Sequence, residues 1–386
     1  MGVLRVERSE PTGLAARTAG ITWRDFDPQL LLYAGLLAVL GLTMAYSNTA
    51  TTGGPAIATE STFARGAAWL LIAAVTFALA ALFDYTWLKS LTWPIYLVSL
   101  GLLAASLLFG DADAASSRWV SILGFQFQFS ELAKILMIVV LARYLADREA
   151  RLDSLGSILG ACLLVVPPWI LVMLQPDLGT SLVFFAILAG MLFMAGARLR
   201  WLVFLGAGVV AALPLAWTFL LHDYQKVRLM SFLDPAADPL GAGYQLLTAQ
   251  QAVRAGGLFG AGITNGPQGQ ANLLPVQATD FVFAVLAEEL GFVGCLVVFV
   301  LFAALLWRIL VAAWRSRDPF GLLAGAGLAS MILFQLAVNV GMVLGIMPVT
   351  GIPLPFITHG GASLVSVAIG LGILQSVNVR RQRPEW

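Results

Sequence analysis

The sequence predicts an all-α polytopic membrane protein with about ten transmembrane helices, on three observations. Charged residues make up 11% of the chain, against roughly 25% in soluble domains. Mean hydropathy is +0.87. Apolar runs recur from end to end, each about 20 residues long and able as a helix to cross a hydrocarbon core about 30 Å thick. Lipid offers no partner to an open backbone group, so such runs must be helical.

The runs fall at 29–47, 64–84, 90–109, 130–147, 156–174, 179–196, 201–221, 289–313, 320–346 and 361–378. An even number returns the chain to the side on which it began. Of the 22 Lys and Arg, the inward connectors and tails hold 16, and the outward segments hold Arg65, Arg118, Lys134, Lys226, Arg228 and Arg254. That excess places both termini in the cytoplasm by the positive-inside rule. Residues 1–28 then form a cytoplasmic tail without a cleavable signal pattern, and 379–386 form a second tail. The whole of 1–386 reads as one membrane domain. Cys162 and Cys295 lie inside apolar runs and read as small core residues. No internal repeat stands out, which weighs against an inverted-repeat transporter.

Inward connectors are short, and polar complexity gathers outside. The first outer segment, 110–130, carries Arg118-Trp119 and leads into Ser130-Glu131-Leu-Ala-Lys134. Ser130 fits an N-cap, with Glu131 against the positive end of the helix. Lys134 stands one turn further on the same face. A lysine at that depth needs an anion, water or a partner. It either locks the helix through Glu131 or, with Arg118 and Trp119, lines a cationic outer cavity for phosphate.

The second outer segment, Gln175-Pro176-Asp177-Leu178-Gly179, breaks a helical run, and Asp177 suits a cap of the following helix. The third, 222–280, is a large outer loop between spans 7 and 8, too long for a mere link. Its Asp234-Pro235 and Asp238-Pro239 pairs are turn chemistry. Lys226 and Arg228 are outward cations suited to anchoring at headgroups. Residues 243–259 have the mixed polarity of a short amphipathic helix on the membrane surface.

Asp280 closes that loop as the isolated acid of the apolar run Phe281-Val-Phe-Ala-Val-Leu-Ala. Counting back one span from Arg308 puts the outer boundary near Glu288, so Asp280 begins a helical stretch at or above it. There it could accept a proton from an attacking hydroxyl or simply cap its helix. Glu288 and Glu289 read as interfacial, or as paired with a cation such as Lys134. The last outer segment, 347–361, holds Pro348, Thr350, Gly351, Pro353, Pro355 and His359. It cannot be continuous helix and suits the lining of a cavity.

Taken together, Arg118-Trp119, Ser130 to Lys134, QPDLGTS at 175–181, FLDPAADPLGAGYQ at 232–245, TDFVFAVLAEELG at 279–291 and PVTGIPLPF at 348–356 resemble the SEDS family (shape, elongation, division and sporulation). They stand in family order from the first span to the last. The chain departs from the family after PLPF, with Thr358-His359-Gly360-Gly361-Ala362 where Ser-Tyr-Gly-Gly-Ser is common. Short tails and Ala287-Glu288-Glu289 make it more similar to RodA than to FtsW. The resemblance implies a peptidoglycan glycosyltransferase that polymerises lipid II during cell-wall elongation and shape maintenance. Asp280 would be its essential acid, and Arg118, Trp119, Glu131, Lys134, Lys226, Arg228, Glu288 and Thr350 would line the substrate site. A class B penicillin-binding protein and membrane lipids are the implied partners, and nucleic acid is not one. No cofactor is required by the pattern. A divalent cation, Mg²⁺ or Mn²⁺, could assist, though no metal-ligand spacing is visible. A lipid II flippase and a non-catalytic scaffold for a cell-wall synthase are the alternative functions.

Overall fold

The computed structural model describes residues 23–51, 61–110, 119–122, 125–148, 154–235, 238, 241–267, 280–316, 318–358 and 360–380. In chain order its helices are α1 (Pro28–Thr51), α2 (Thr62–Leu82), α3 (Tyr85–Ser90), α4 (Thr92–Phe109), α5 (Phe129–Ala146), α6 (Leu155–Leu174) and α7 (Leu178–Met194). They continue with α8 (Leu199–Leu215), α9 (Asp223–Leu233), α10 (Ala242–Ala255), α11 (Val282–Arg315), α12 (Pro319–Val343) and α13 (Gly361–Val379). All ten predicted spans are helices, and the protein is a polytopic all-α membrane protein. Seven are long and apolar enough to cross a membrane by length and composition, and α7 and α8 are shorter apolar helices. The tenth, α5, holds Glu131, Lys134 and Arg143 among its 18 residues. One exception to the all-α reading lies in the 110–130 segment, where Val120–Ile122 (β1) pairs antiparallel with Phe125–Phe127 (β2).

Local chemistry starts and stops these helices. Ser61, Ser154, Asp177 and Asp318 each accept a backbone N–H at an N-cap, which satisfies a donor the helix cannot pair itself. Pro214 removes a ladder bond near the end of α8, and the chain continues as a π-helical turn over Ala216–Leu220. The centre of the bundle is α13, whose apolar window is 89% buried, against 11% for α2. α2 therefore spends most of its surface on lipid.

The two ends of the bundle differ in kind. At the arginine-rich end, ion pairs join elements remote in sequence: Asp27 with Arg308, Lys89 with Asp318 at 2.5 Å, and Asp84 with Arg380 at 3.9 Å. Asp27 also accepts from the N–H groups of Gln29 and Leu30, so one carboxylate caps α1 and ties it to α11.

At the opposite end the backbone leaves the helix twice. Helix α11 begins at Val282, seven residues before the predicted span, and breaks at Gly291 (φ 66°, ψ −166°). The break frees the carbonyls of Glu288 and Glu289 and the N–H groups of Phe292 and Val293. Each finds a partner in the segment after α10: Ala261 N–H donates to Glu288 O, Gly262 N–H to Glu289 O, Phe292 N–H to Gly257 O, and Val293 N–H to Leu258 O, all within 2.9–3.1 Å. A side chain at Gly291 would stand 2.3 Å from the Gly260 nitrogen. Backbone in that conformation costs a non-glycine residue about 1–3 kcal/mol even before the overlap. Gly291→Ala is expected to lower the thermal midpoint of the purified protein by several degrees and to expose 256–264 to protease; an unchanged midpoint and digestion pattern would show that the junction tolerates a side chain.

Candidate functional site

The polar end of the bundle is built on the segment between α12 and α13. Residues 349, 352, 354, 356 and 357 are all buried apolar side chains, so this irregular stretch is a floor inside the bundle rather than a surface loop. Part of it pairs locally, with the Leu354 N–H donating to Thr358 Oγ1 at 2.7 Å and the Thr358 N–H to Leu354 O at 3.0 Å. Helix α7 starts against it, since a Cβ on Gly179 would meet Thr350 O at 2.7 Å.

Gly351 is the point above which the site converges. It has φ 74°, a conformation that glycine adopts at little steric cost. A Cβ placed there would lie 3.3 Å from Asp280 Oδ2 and 3.6 Å from Arg228 Nη1. A carboxylate and a guanidinium from two different elements thus meet over a residue without a side chain, and both are half-buried. Asp280 is held from below by Asn339 of α12, whose Nδ2 donates to Asp280 O at 3.2 Å and to Ile352 O at 2.8 Å. One buried amide therefore fixes both the acid's backbone and the floor.

Arg228 is positioned by α9. Gln225, buried one turn before it, donates from Nε2 to Pro176 O at 3.3 Å and so docks α9 on the α6–α7 turn. Lys226, in the same turn, pairs with Asp223 at 3.6 Å across its own helix. Asp177 caps α7 through the Thr180 N–H and takes a 2.7 Å hydrogen bond from Gln128. That is the capping reading of this residue.

Other residues singled out from the sequence are buried. Lys134 is 1% exposed and pairs at 2.7 Å with Glu131 of its own helix, so the ammonium is neutralised inside the bundle. Glu288 and Glu289 are 0% and 1% exposed, not interfacial, because the helix that carries them ends at the Gly291 break within the protein. Glu289 accepts hydrogen bonds from Ser47 of α1 and from the Thr264 N–H rather than from a cation. Glu288 lies against Gly266, where a Cβ would come within 2.6 Å of Oε2. Thr350 is buried, with its hydroxyl unpaired among the described residues. Trp119 is half-buried beside β1, whereas Arg118 and His359 lie outside the described residues. The expected surface helix is α10, but its Leu246, Ala249 and Ala252 are buried in the protein core. No group of three or more His, Cys, Asp or Glu is gathered to hold a metal among the described residues, and the group seen beside Asp280 over Gly351 is a guanidinium. Among the described residues there is thus no dedicated Mg²⁺ or Mn²⁺ site.

Comparison with known proteins identifies the family. The family model FTSW_RODA_SPOVE, described as a cell cycle protein, matches residues 28–383. The peptidoglycan glycosyltransferase MrdB of Escherichia coli (strain K12) is 40% identical over 75% of this chain and 78% of its own. The peptidoglycan glycosyltransferase RodA of Treponema pallidum is 32% identical over 92% of this chain and 98% of its own. A chain from a structure of a peptidoglycan synthase complex that coordinates polymerization and crosslinking superposes with a TM-score of 0.77. It is 31% identical and covers 92% of this chain and 97% of that one. The chain belongs to the FtsW/RodA/SpoVE family, and its similarity to MrdB and RodA bears out the RodA-like character of its sequence.

Sequence reasoning missed Asn339, Gln225, Ser47 and the 256–262 junction. The junction had a signal, four glycines within seven residues, and Asn339 had one in being an amide deep in an apolar run. Removing one partner of a buried ion pair leaves an uncompensated charge, at a cost of about 3–5 kcal/mol. Lys134→Met is expected to lower the thermal midpoint markedly, and adding Glu131→Gln to recover most of the loss. A double variant no more stable than the single one would contradict an isolated internal pair.

Proposed function

We propose that Asp280 is the general base of a peptidoglycan glycosyltransferase that polymerises lipid II, and that Arg228 is the cation beside the departing pyrophosphate. The chain is a RodA-like peptidoglycan glycosyltransferase by its family relationships. The observation that carries the residue assignment is the meeting of the two head groups over Gly351. An ionised carboxylate has only acceptor lone pairs to offer, as a base requires. Asp280 takes the proton from the acceptor sugar's 4-hydroxyl as that oxygen bonds to the donor's anomeric carbon. The bond from that carbon to the pyrophosphate oxygen breaks, and negative charge develops on the leaving group. A fixed guanidinium one side chain away stabilises that charge without reorganising.

The remaining candidates divide by burial. Trp119 and Lys226 retain some exposure, and with Arg118 they are the substrate contacts of this reading. Glu131, Lys134, Glu288 and Thr350 are buried and act on the substrate through the packing that supports the site. No step is routed through a metal ion. The 16 to 6 partition of basic residues supports cytoplasmic termini, with Asp280 facing outward. Lipid II, surrounding membrane lipids and a class B penicillin-binding protein are the partners of this reading.

Purified protein, with and without a class B penicillin-binding protein, given labelled lipid II tests the assignment. Asp280→Ala is expected to lower polymer formation by about 100-fold to 10,000-fold, and Arg228→Ala by about 100-fold or more. Polymer formation unaffected by Asp280→Ala would remove the base, and labelled lipid crossing vesicles with no polymer formed would favour a flippase. Orientation is read separately, with single cysteines in a Cys162→Ala/Cys295→Ala background. In intact cells an impermeant maleimide should label Leu258→Cys and not Arg315→Cys; the reverse pattern would invert the topology.

A further inference from the structure

Two cavities adjoin that the proposed reaction does not use. The larger, about 490 Å³, runs between α1, α2 and α13 from Phe26 at the arginine-rich end to Phe356 of the floor. Ala34 and Ala38 of α1 face Ala74 and Ala78 of α2 across it, with Leu371 of α13 behind and Phe26 at its mouth. Facing rows of small residues usually let membrane helices close upon each other. Here the helices stand apart, and a void lined by hydrocarbon loses its dispersion contacts unless apolar matter fills it.

Phe26 is also a wall of the second cavity, about 290 Å³ and polar. Arg24, Arg308 and Arg315 line this one, together with Asp25 and Asp27. Asp27 is already committed, 7% exposed, to Arg308 and to the first N–H groups of α1. The ion pair does not exhaust Arg308, whose Nε–H lacks an acceptor among the described residues. Arg24 and Arg315 are exposed. Three guanidinium groups against two carboxylates leave the cavity cationic at the depth where α1 enters the membrane.

We propose that the pair of cavities is a binding site for one anionic phospholipid. Its phosphate sits among Arg24, Arg308 and Arg315, and one acyl chain passes Phe26 into the slot between α1 and α2. Basic pockets between spans at the membrane boundary take lipid head groups in this way. The glycan substrate does not fit the assignment, because a pyrophosphate held here would stand a full span from Asp280. The site is independent of the reaction proposed above; only its leaflet, the cytoplasmic one, rests on the proposed orientation, which the cysteine labelling reads by itself.

The test uses delipidated full-length protein in detergent, titrated with spin-labelled phosphatidylglycerol and with phosphatidylcholine of the same chains. Phosphatidylglycerol is expected to bind about tenfold or more tighter, the order that two or three arginines beside a phosphate provide. Arg24→Gln/Arg315→Gln, which changes only exposed side chains, should bring the two lipids to near equality. Ala74→Leu/Ala78→Leu should weaken both by filling the slot, and a monodisperse elution profile certifies each variant's fold. Equal binding of the two lipids by the unsubstituted protein would reduce the site to ordinary boundary lipid and overturn the proposal. So would a preference that survives the arginine changes, or displacement by a polyprenyl phosphate far more readily than by phosphatidylglycerol, which would make the carrier lipid the occupant.

Discussion

Backbone that leaves the helix inside an apolar bundle must find new partners, and the polar end of this protein is organised by that requirement. It happens at two places. At Gly291 four backbone groups are released, and the strip from Gly257 to Gly262 pairs every one of them. Between α12 and α13 the floor pairs with itself through Thr358 and with α12 through Asn339. These repairs are also what bring chemistry together. The Gly291 break ends the short helix that follows Asp280, and the Asn339 amide joins that acid's carbonyl to the floor beneath it.

Charge follows the same logic at both ends with different results. Along the arginine-rich end each ion pair links two elements, so electrostatics there serve assembly. In α5 the Glu131–Lys134 pair closes within one helix, which makes a deeply placed lysine tolerable without a partner from elsewhere. A buried pair of this kind adds little net stability, yet loses much when halved. Arg228 is the different case. It comes near the acid from a separate helix and is half-buried rather than enclosed in the core.

Much of this was legible in the sequence, and the limits have physical causes. Span number and order could be read because a 20-residue apolar helix has no alternative in lipid. Asp177 as a cap and the non-helical 347–361 stretch followed from local rules that need no tertiary knowledge. The helical stretch that opens beside Asp280 is legible, but its break inside the bundle is not, because only φ at Gly291 divides it from the span that follows. Glu288 and Glu289 read as interfacial by counting one span back from Arg308, a count blind to the hydrogen bond that Ser47, 242 residues away, supplies to Glu289. The approach of Arg228 to Asp280 over Gly351 was out of reach for a similar reason. It depends on the docking of α9 through Gln225 onto the carbonyl of Pro176, a contact between two loops that no periodicity encodes.

That docking bears on how the site works. Asp280 and Arg228 are carried by different supports: the acid by Asn339 and the floor, the cation by a helix resting on the α6–α7 turn. The two supports meet where Gly179 packs on Thr350 O of the floor, so the distance between the two head groups depends on how α9 sits on a turn that itself rests on the core. Gly351 contributes no side chain at the point where the two head groups approach each other. In the reaction proposed above, the leaving group and the attacking hydroxyl would both enter beside that glycine. A guanidinium already held there by the docking of α9 would meet the developing charge without reorganising, which is what a mount separate from the acid's own helix provides.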